Sequence, residues 1–219
     1  MALDSMRIGA IWRYPVKSMA GERLRRVAIG AAGLDGDRVL QVYDGQDRIL
    51  TARRFPRLLG LRATLGPDGE PLVNGRPWNT PEVASWVAAA APGARLRRFE
   101  GAERFDVLPL LVCTDGAVSE FGRDMRRLRP NLLIEGVAGM AERTWEGATL
   151  RIGDVLAGIA DLRARCVMTT VDPDSGEQDP DVLRSIVRRF GGKLCLNARV
   201  LRGGIVEEGD AVDLIAPHG

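Results

Sequence analysis

From "RIGAIWRYPV" near the start to "AVDLIA" near the end, the apolar residues come in short runs, each cut off by glycine, proline or aspartate. No other feature constrains the fold as strongly. Runs of this length, rich in β-branched residues and bounded by turn formers, predict strands. The predicted set is completed by "RVLQVYD", "RILTARR", "LLGLRATL", "VLPLLVC", "NLLIEG", "DVLAGIADLRARCVMTTV" and "LCLNARVL". The Asp44-Gly45 pair in "YDGQDRIL" predicts a hairpin turn, and "GPDGEP" (66–71) predicts another.

Three stretches carry helix signals instead. "TPEVASWVAAAAPG" opens on Thr80 and Pro81 and stops at Pro-Gly, and "DPDVLRSIVRRFGG" opens on Asp179 and Pro180 and stops at Gly191-Gly192. "TDGAVSEFGRDM" starts at Thr114 and is weakened by two glycines. The fold class expected is α+β, strand-rich, nearer to a barrel with about three helices than to alternating βαβ units. No internal repeat or low-complexity tract is present. A composition shift at "AAAAPGARLRRFE" places a boundary near residue 95, giving a β-rich region over 1–95 and a second domain over 96–219.

Several function classes drop out early. The 31 basic and 29 acidic residues leave a net charge of +2, which gives no footprint for nucleic acid. No apolar stretch reaches the roughly 18–20 residues of a membrane span, and "MALDSMRIGAIWRYP" lacks a signal-peptide pattern, so a cytoplasmic location is expected. Cys113, Cys166 and Cys195 are far apart with no C-x-x-C, which argues against a disulfide framework and a structural zinc site. His218 is the only histidine, so Ser-His or Cys-His catalysis is not expected. "DPDSGEQDPDVL" fails as a calcium loop, with its glycine at position five and Leu183 at position twelve. "GAAGLDG" has the wrong spacing for a dinucleotide loop.

Three constellations remain. In "YPVKSMAG", Lys17 and Ser18 stand at a proline-bent strand end, where ammonium, hydroxyl and backbone N–H groups suit a phosphate. Arg38, Arg53, Arg54 and Arg129 (beside Asn131) each sit at the edge of an apolar run, as solvated surface charges or as guanidinium forks at a pocket mouth. In "RARCVMTTVDPDSG", Arg163 and Arg165 flank Cys166 and would lower its pKa. Read from the residues alone, Cys166 is either a half-buried strand cysteine or a thiolate completing the coordination of a metal carried by an organic cofactor. Cys113 and Cys195 read as packing residues.

Taken in order, "YPVKSMAG", "GLDGDRVL", "LTARRFPRL", "RFDVLPLLV", "LRPNLLIEG", "RCVMTTVDPDSG" and "EEGDAV" resemble the MOSC-domain proteins of the amidoxime-reducing type, relatives of the C-terminal domain of molybdenum cofactor sulfurase. The resemblance implies a MOSC-type β-barrel behind a β-rich N-terminal region, and a molybdenum cofactor of the molybdopterin type. It implies that Lys17, Ser18, Arg38, Arg53, Arg129, Asn131 and Arg165 contact the cofactor, and that Cys166 is the catalytic thiolate on molybdenum. "TTVDPDSG" would be the strand and turn that aim it.

The function implied is reduction of N-hydroxylated or N-oxygenated small molecules, with electrons from a separate donor protein. A cofactor carrier or persulfide relay on Cys166 is the alternative, and a degenerate binding module a third reading. The chain departs from the family at Leu40, Met19 and "DVLP", and its loops between Phe105 and Arg129 are short. Substrate, donor and oligomeric state are not written in the sequence.

Overall fold

The computed structural model describes residues 5–99 and 101–217. Its frame is one eight-stranded sheet, in the order Val212–Ile215, Thr149–Ile152, Val155–Ala164, Lys193–Arg202, Leu110–Thr114, Leu132–Glu135, Arg7–Arg13, Glu22–Leu24. Every pairing is antiparallel except that of Leu110–Thr114 with Leu132–Glu135. The sheet draws on both sides of residue 95. It does not close into a barrel: a single bridge, Arg7 to Ala211, links one end back toward the other. The barrel expectation therefore holds only loosely: among the described residues the Glu22–Leu24 edge pairs on one side alone, with Arg7–Arg13.

Three small three-stranded sheets complete the strand set. One contains the hairpin around Asp44, whose carboxylate accepts from the N–H groups of Gln46 and Arg48 at 2.8 and 3.0 Å. Asp47, not Gly45, takes the left-handed conformation there, at φ 59°. "LLGLRATL" is only partly strand: Pro56–Gly60 forms a 3-10 turn, with proline at its start, before the strand Ala63–Leu65.

The helices begin where the caps predict. Helix α1 spans Pro81–Ala90 with Thr80 Oγ1 accepting from Val83 N, and α2 spans Asp115–Phe121 with Thr114 Oγ1 accepting from Ala117 N. Helix α3 spans Pro180–Phe190, capped by Asp179 and ended by left-handed Gly191. Gly116 weakens α2 for a reason: a methyl there would collide with the carbonyl oxygens of Val137 and Gly139.

Packing divides into three clusters. The main sheet buries Ile11, Leu132, Leu150 and Leu196. The N-terminal region closes over Val16, Leu40, Leu58 and Val83, with Met168 reaching in from the other half. The third cluster joins α2 and α3 and contains Cys113 and Cys195. These two cysteines are disulfide-bonded, with Cα atoms 4.5 Å apart. That corrects the sequence expectation. The 82-residue separation hides an antiparallel register in which Val112 faces Leu196, and the next pair outward is the two cysteines.

A second correction concerns the stretch around Cys166. The long strand ends at Ala164, and Val167–Thr170 is a 3-10 turn, not a continued strand. The threonines cause it: Thr169 Oγ1 donates to Cys166 O at 2.9 Å and Thr170 Oγ1 to Val167 O at 2.7 Å, folding the chain back on itself.

Candidate functional site

The site begins where the first strand ends. Beyond Arg13 the chain bends at Pro15 and is strapped to the "GDRVL" segment: Arg38 N donates to Tyr14 O, Lys17 N to Leu40 O and Leu40 N to Pro15 O, at 2.8–3.1 Å. Asp37, fully buried, is the hub of this crossing. Its Oδ1 accepts from Tyr14 N at 2.7 Å, and its Oδ2 accepts from Arg38 Nη1 and, at 3.3 Å, from Asn131 Nδ2.

Ser18, Arg38 and Arg129 all have left-handed backbones, at φ 72°, 55° and 56°. Non-glycine residues sit there at a cost of order 1–3 kcal/mol each, so the surrounding fold must hold them. Three of the expected site residues are held this way.

Lys17, Ser18, Arg38, Arg53 and Arg129 line one small cavity of about 40 Å³, together with Thr51, Asp106 and Met168. Within it Asp106 gathers three cations: Lys17 Nζ at 3.1 Å, Arg163 Nη2 at 3.3 Å and Arg53 Nη2 at 3.4 Å. Burial works against its ionisation, but Lys17, Arg53 and Arg163 outweigh this and hold the Asp106 carboxyl below its usual range. The guanidinium carbons of Arg129 and Arg38 lie over the Tyr14 ring at 4.2 and 5.2 Å. Burial pushes the Tyr14 phenol up to about 12, against the pull of Arg129 and Arg38. Burial likewise pushes Arg129 down to about 10. Among the described residues, neither the Arg129 guanidinium nor the Ser18 hydroxyl has a hydrogen-bond partner, and both face this cavity.

A larger cleft of about 410 Å³ abuts the cavity, sharing Arg129 and Met168 with it. Trp12, Tyr14 and Leu59 give it an apolar wall, and Arg62, Arg126 and Arg127 a basic one. Trp12 Nε1 is buried with no protein partner.

Three expected residues do not line the cavity. Asn131 has both ends of its amide engaged, accepting from Leu111 N at 3.1 Å and donating to Trp12 O and Asp37 Oδ2; it ties strands together. Arg165 donates to Leu128 O at 2.7 Å, and burial and then Arg163 push it down to about 10. Cys166 is half-buried, the free cysteine among the described residues, two positions before Met168 and within electrostatic reach of both Arg163 and Arg165. Arg54 is exposed and stacks only on Phe55.

Tyr14, Asp37 and Asp106 are site members that the sequence does not single out, and Arg163 reads there only as a charge beside Cys166. Asp37 stands directly before Arg38, and Asp106 lies inside "RFDVLPLLV", one of the stretches that carry the family resemblance.

With this geometry in place, two family models match the chain: the MOSC N-terminal beta barrel domain over residues 5–90 and the MOSC domain over 116–213. The chain is 27% identical to mitochondrial amidoxime reducing component 2 of Macaca fascicularis, over 78% of this chain and 68% of that protein. It is 26% identical to mitochondrial amidoxime-reducing component 1 of Homo sapiens, over 77% and 67%. A shorter match, 33% identical over 38% of this chain and 10% of the relative, is to molybdenum cofactor sulfurase of Bombyx mori. Among solved structures, the YuaD protein from Bacillus subtilis superposes with a TM-score of 0.52, at 12% identity, covering 98% of this chain and 97% of that one. That likeness speaks for the fold alone.

Proposed function

The chain belongs to the MOSC-domain family, and on that premise we propose that it is a molybdenum-cofactor oxidoreductase that reduces N-hydroxylated or N-oxygenated small molecules. The observation that carries this reading is convergence. Five side chains from distant motifs meet in one cation-lined cavity, and the long strand that brings Arg163 to Asp106 ends two residues before the free cysteine.

The residues fit the group. Lys17, Ser18 and Arg53 offer an ammonium, an uncommitted hydroxyl and a guanidinium to a phosphate. Arg129, without an anionic partner, lines both this cavity and the larger cleft, whose apolar wall of Trp12, Tyr14 and Leu59 beside basic side chains suits a polar ring system. No cluster of three or more His, Cys, Asp or Glu occurs among the described residues, so the protein side offers a single thiolate. That is the donor set needed by a metal that arrives with its own organic ligands.

When bound, the molybdenum would supply the removal of oxygen from an N–O group, at the expense of two electrons and two protons, with water released. The chain's own residues do the rest. Asp37 fixes the direction of Arg38, and Tyr14 holds Arg38 and Arg129 flat, so the grip on the phosphate is set before binding. Arg163 and Arg165 place positive charge beside Cys166. Electrons would come from a separate donor protein.

The test is turnover. Protein loaded with cofactor should reduce a hydroxylamine or amidoxime with reduced viologen and remain inactive with NADH alone. Release of the cofactor to an acceptor apo-enzyme, with no substrate reduced under either condition, would instead make this chain a carrier.

A further inference from the structure

The carboxylate of Asp106 occupies the place where the cations of the cavity point. It is the one negative charge among Lys17, Arg53 and Arg163. The segment that carries it covers the same cavity: Lys17 Nζ also donates to Arg104 O at 3.0 Å, and the Phe105 ring lies under the Arg38 guanidinium at 5.8 Å. On its N-terminal side the segment is anchored by Arg104, whose Nη2 donates to Ala32 O at 2.8 Å, and on its C-terminal side by the strand that starts at Leu110. Between these anchors, no backbone N–H of Asp106, Val107 or Leu108 donates to another described residue. Side-chain ion pairs hold the segment down, and such a segment opens at low cost once those pairs are replaced.

We propose that Asp106 is a built-in counter-anion, and that an incoming phosphate monoester takes over Lys17, Arg53 and Arg163 and releases the 105–108 segment from the cavity. This deepens the cofactor reading and rests on it for the identity of the phosphate's bearer. The exchange has a direction. One carboxylate gives three cations a single negative charge and two acceptor oxygens, whereas a phosphate monoester brings a charge of about −1.5 to −2 and three terminal oxygens. A singly charged diester gains nothing over Asp106 in charge. Asp106 therefore keeps the cation cluster assembled and sets a cost of entry that a dianion repays and a monoanion does not.

Calorimetry with inorganic phosphate and with dimethyl phosphate tests this on the wild-type chain and on Asp106→Asn. The substitution lies in a surface loop and keeps the side chain's shape. The expected result is phosphate affinity raised roughly tenfold in the variant, because the carboxylate no longer competes for the same three cations, and no larger gain for the diester. Tryptic cleavage between Arg104 and Phe105 should accelerate when phosphate saturates the wild type. Equal or weaker phosphate binding by Asp106→Asn, binding by neither protein, or unchanged or slowed cleavage in this segment would overturn the proposal. Pterin content of both proteins, purified from cells that make the cofactor, separates the two readings. Full pterin content with failed phosphate arms sinks the counter-anion alone. Phosphate behaviour as described, with no pterin retained by either protein, sinks the cofactor reading alone.

Discussion

Arg38 and Arg129 come from different halves of the chain, yet both place their guanidinium over the ring of Tyr14, at 5.2 and 4.2 Å, and both do so from a left-handed backbone. The ring is thus a shared rest for two cations that would otherwise repel each other across the cavity. Tyr14 in turn is fixed at its two ends, by its N–H to Asp37 and by its hydroxyl donating to Pro130 O at 3.1 Å.

This relationship separates two variants of Tyr14. Tyr14→Phe keeps the ring and loses one buried hydrogen bond, an expected cost of about 1 kcal/mol with phosphate affinity nearly unchanged. Tyr14→Leu removes the face on which both arginines rest. It should cost about 2–4 kcal/mol in urea unfolding and weaken phosphate binding at least several-fold. Equal affinities for the two variants would show that the ring does not organise the arginines.

Arg129 pulls stability and binding in opposite directions. Its cation is half-buried without an anionic partner, which disfavours the charged form in the folded chain. Arg129→Met should therefore unfold at the same urea concentration as the wild type, or higher, while losing most of its affinity for phosphate. A marked loss of stability would mean that Arg129 has a structural partner after all.

Asp106 links the site to acid. Its folded pKa lies below its unfolded value, so its ion pairs contribute stability that is fully present above the unfolded pKa. That stability is lost as pH falls from about 4 through the depressed folded value. Asp106→Asn should flatten the acid limb of the stability profile in that window and leave the profile near neutrality parallel to the wild type. An unaltered acid limb would mean the three ion pairs contribute nothing.

Gly21 shows how closely the backbone approaches the site. A methyl at this position would meet the carbonyl of Arg13 and the Tyr14 ring, and neither can move without disturbing the crossing at Asp37. Gly21→Ala should cost about 1–3 kcal/mol through overpacking and lower phosphate affinity with it. Wild-type affinity at reduced stability would show that the Tyr14 position tolerates displacement.

Much of this was legible in the sequence because it is local. Thr80, Thr114 and Asp179 announce their helices through caps, and the short strands announce themselves through their turn residues. Lys17, Ser18, Arg38, Arg53 and Arg129 were legible as motif members, and they share a cavity. What stayed hidden depends on register and on tertiary charge. The Cys113–Cys195 bond needs the pairing of Leu110–Thr114 with Lys193–Arg202, which no local pattern states. Asn131 looks like a ligand donor in "RPN", yet its amide is used up by neighbouring strands. The threonines after Cys166 favour strand by type, but their hydroxyls bond back to carbonyls three residues earlier and close a turn.

If one cavity grips the cofactor's phosphate while Cys166 ligates the metal, a change at Cys166 separates the two. Molybdenum and pterin should be measured per chain, in protein purified from cells that make the cofactor, for the wild type and Cys166→Ser. Serine is a harder and far less acidic ligand, so about one pterin per chain is expected in both proteins. The molybdenum X-ray absorption edge should shift in the variant as a thiolate is lost from the metal, with N-reductive turnover abolished. Wild-type protein that carries neither molybdenum nor pterin, or a variant with an unchanged edge and full turnover, would contradict this division of roles.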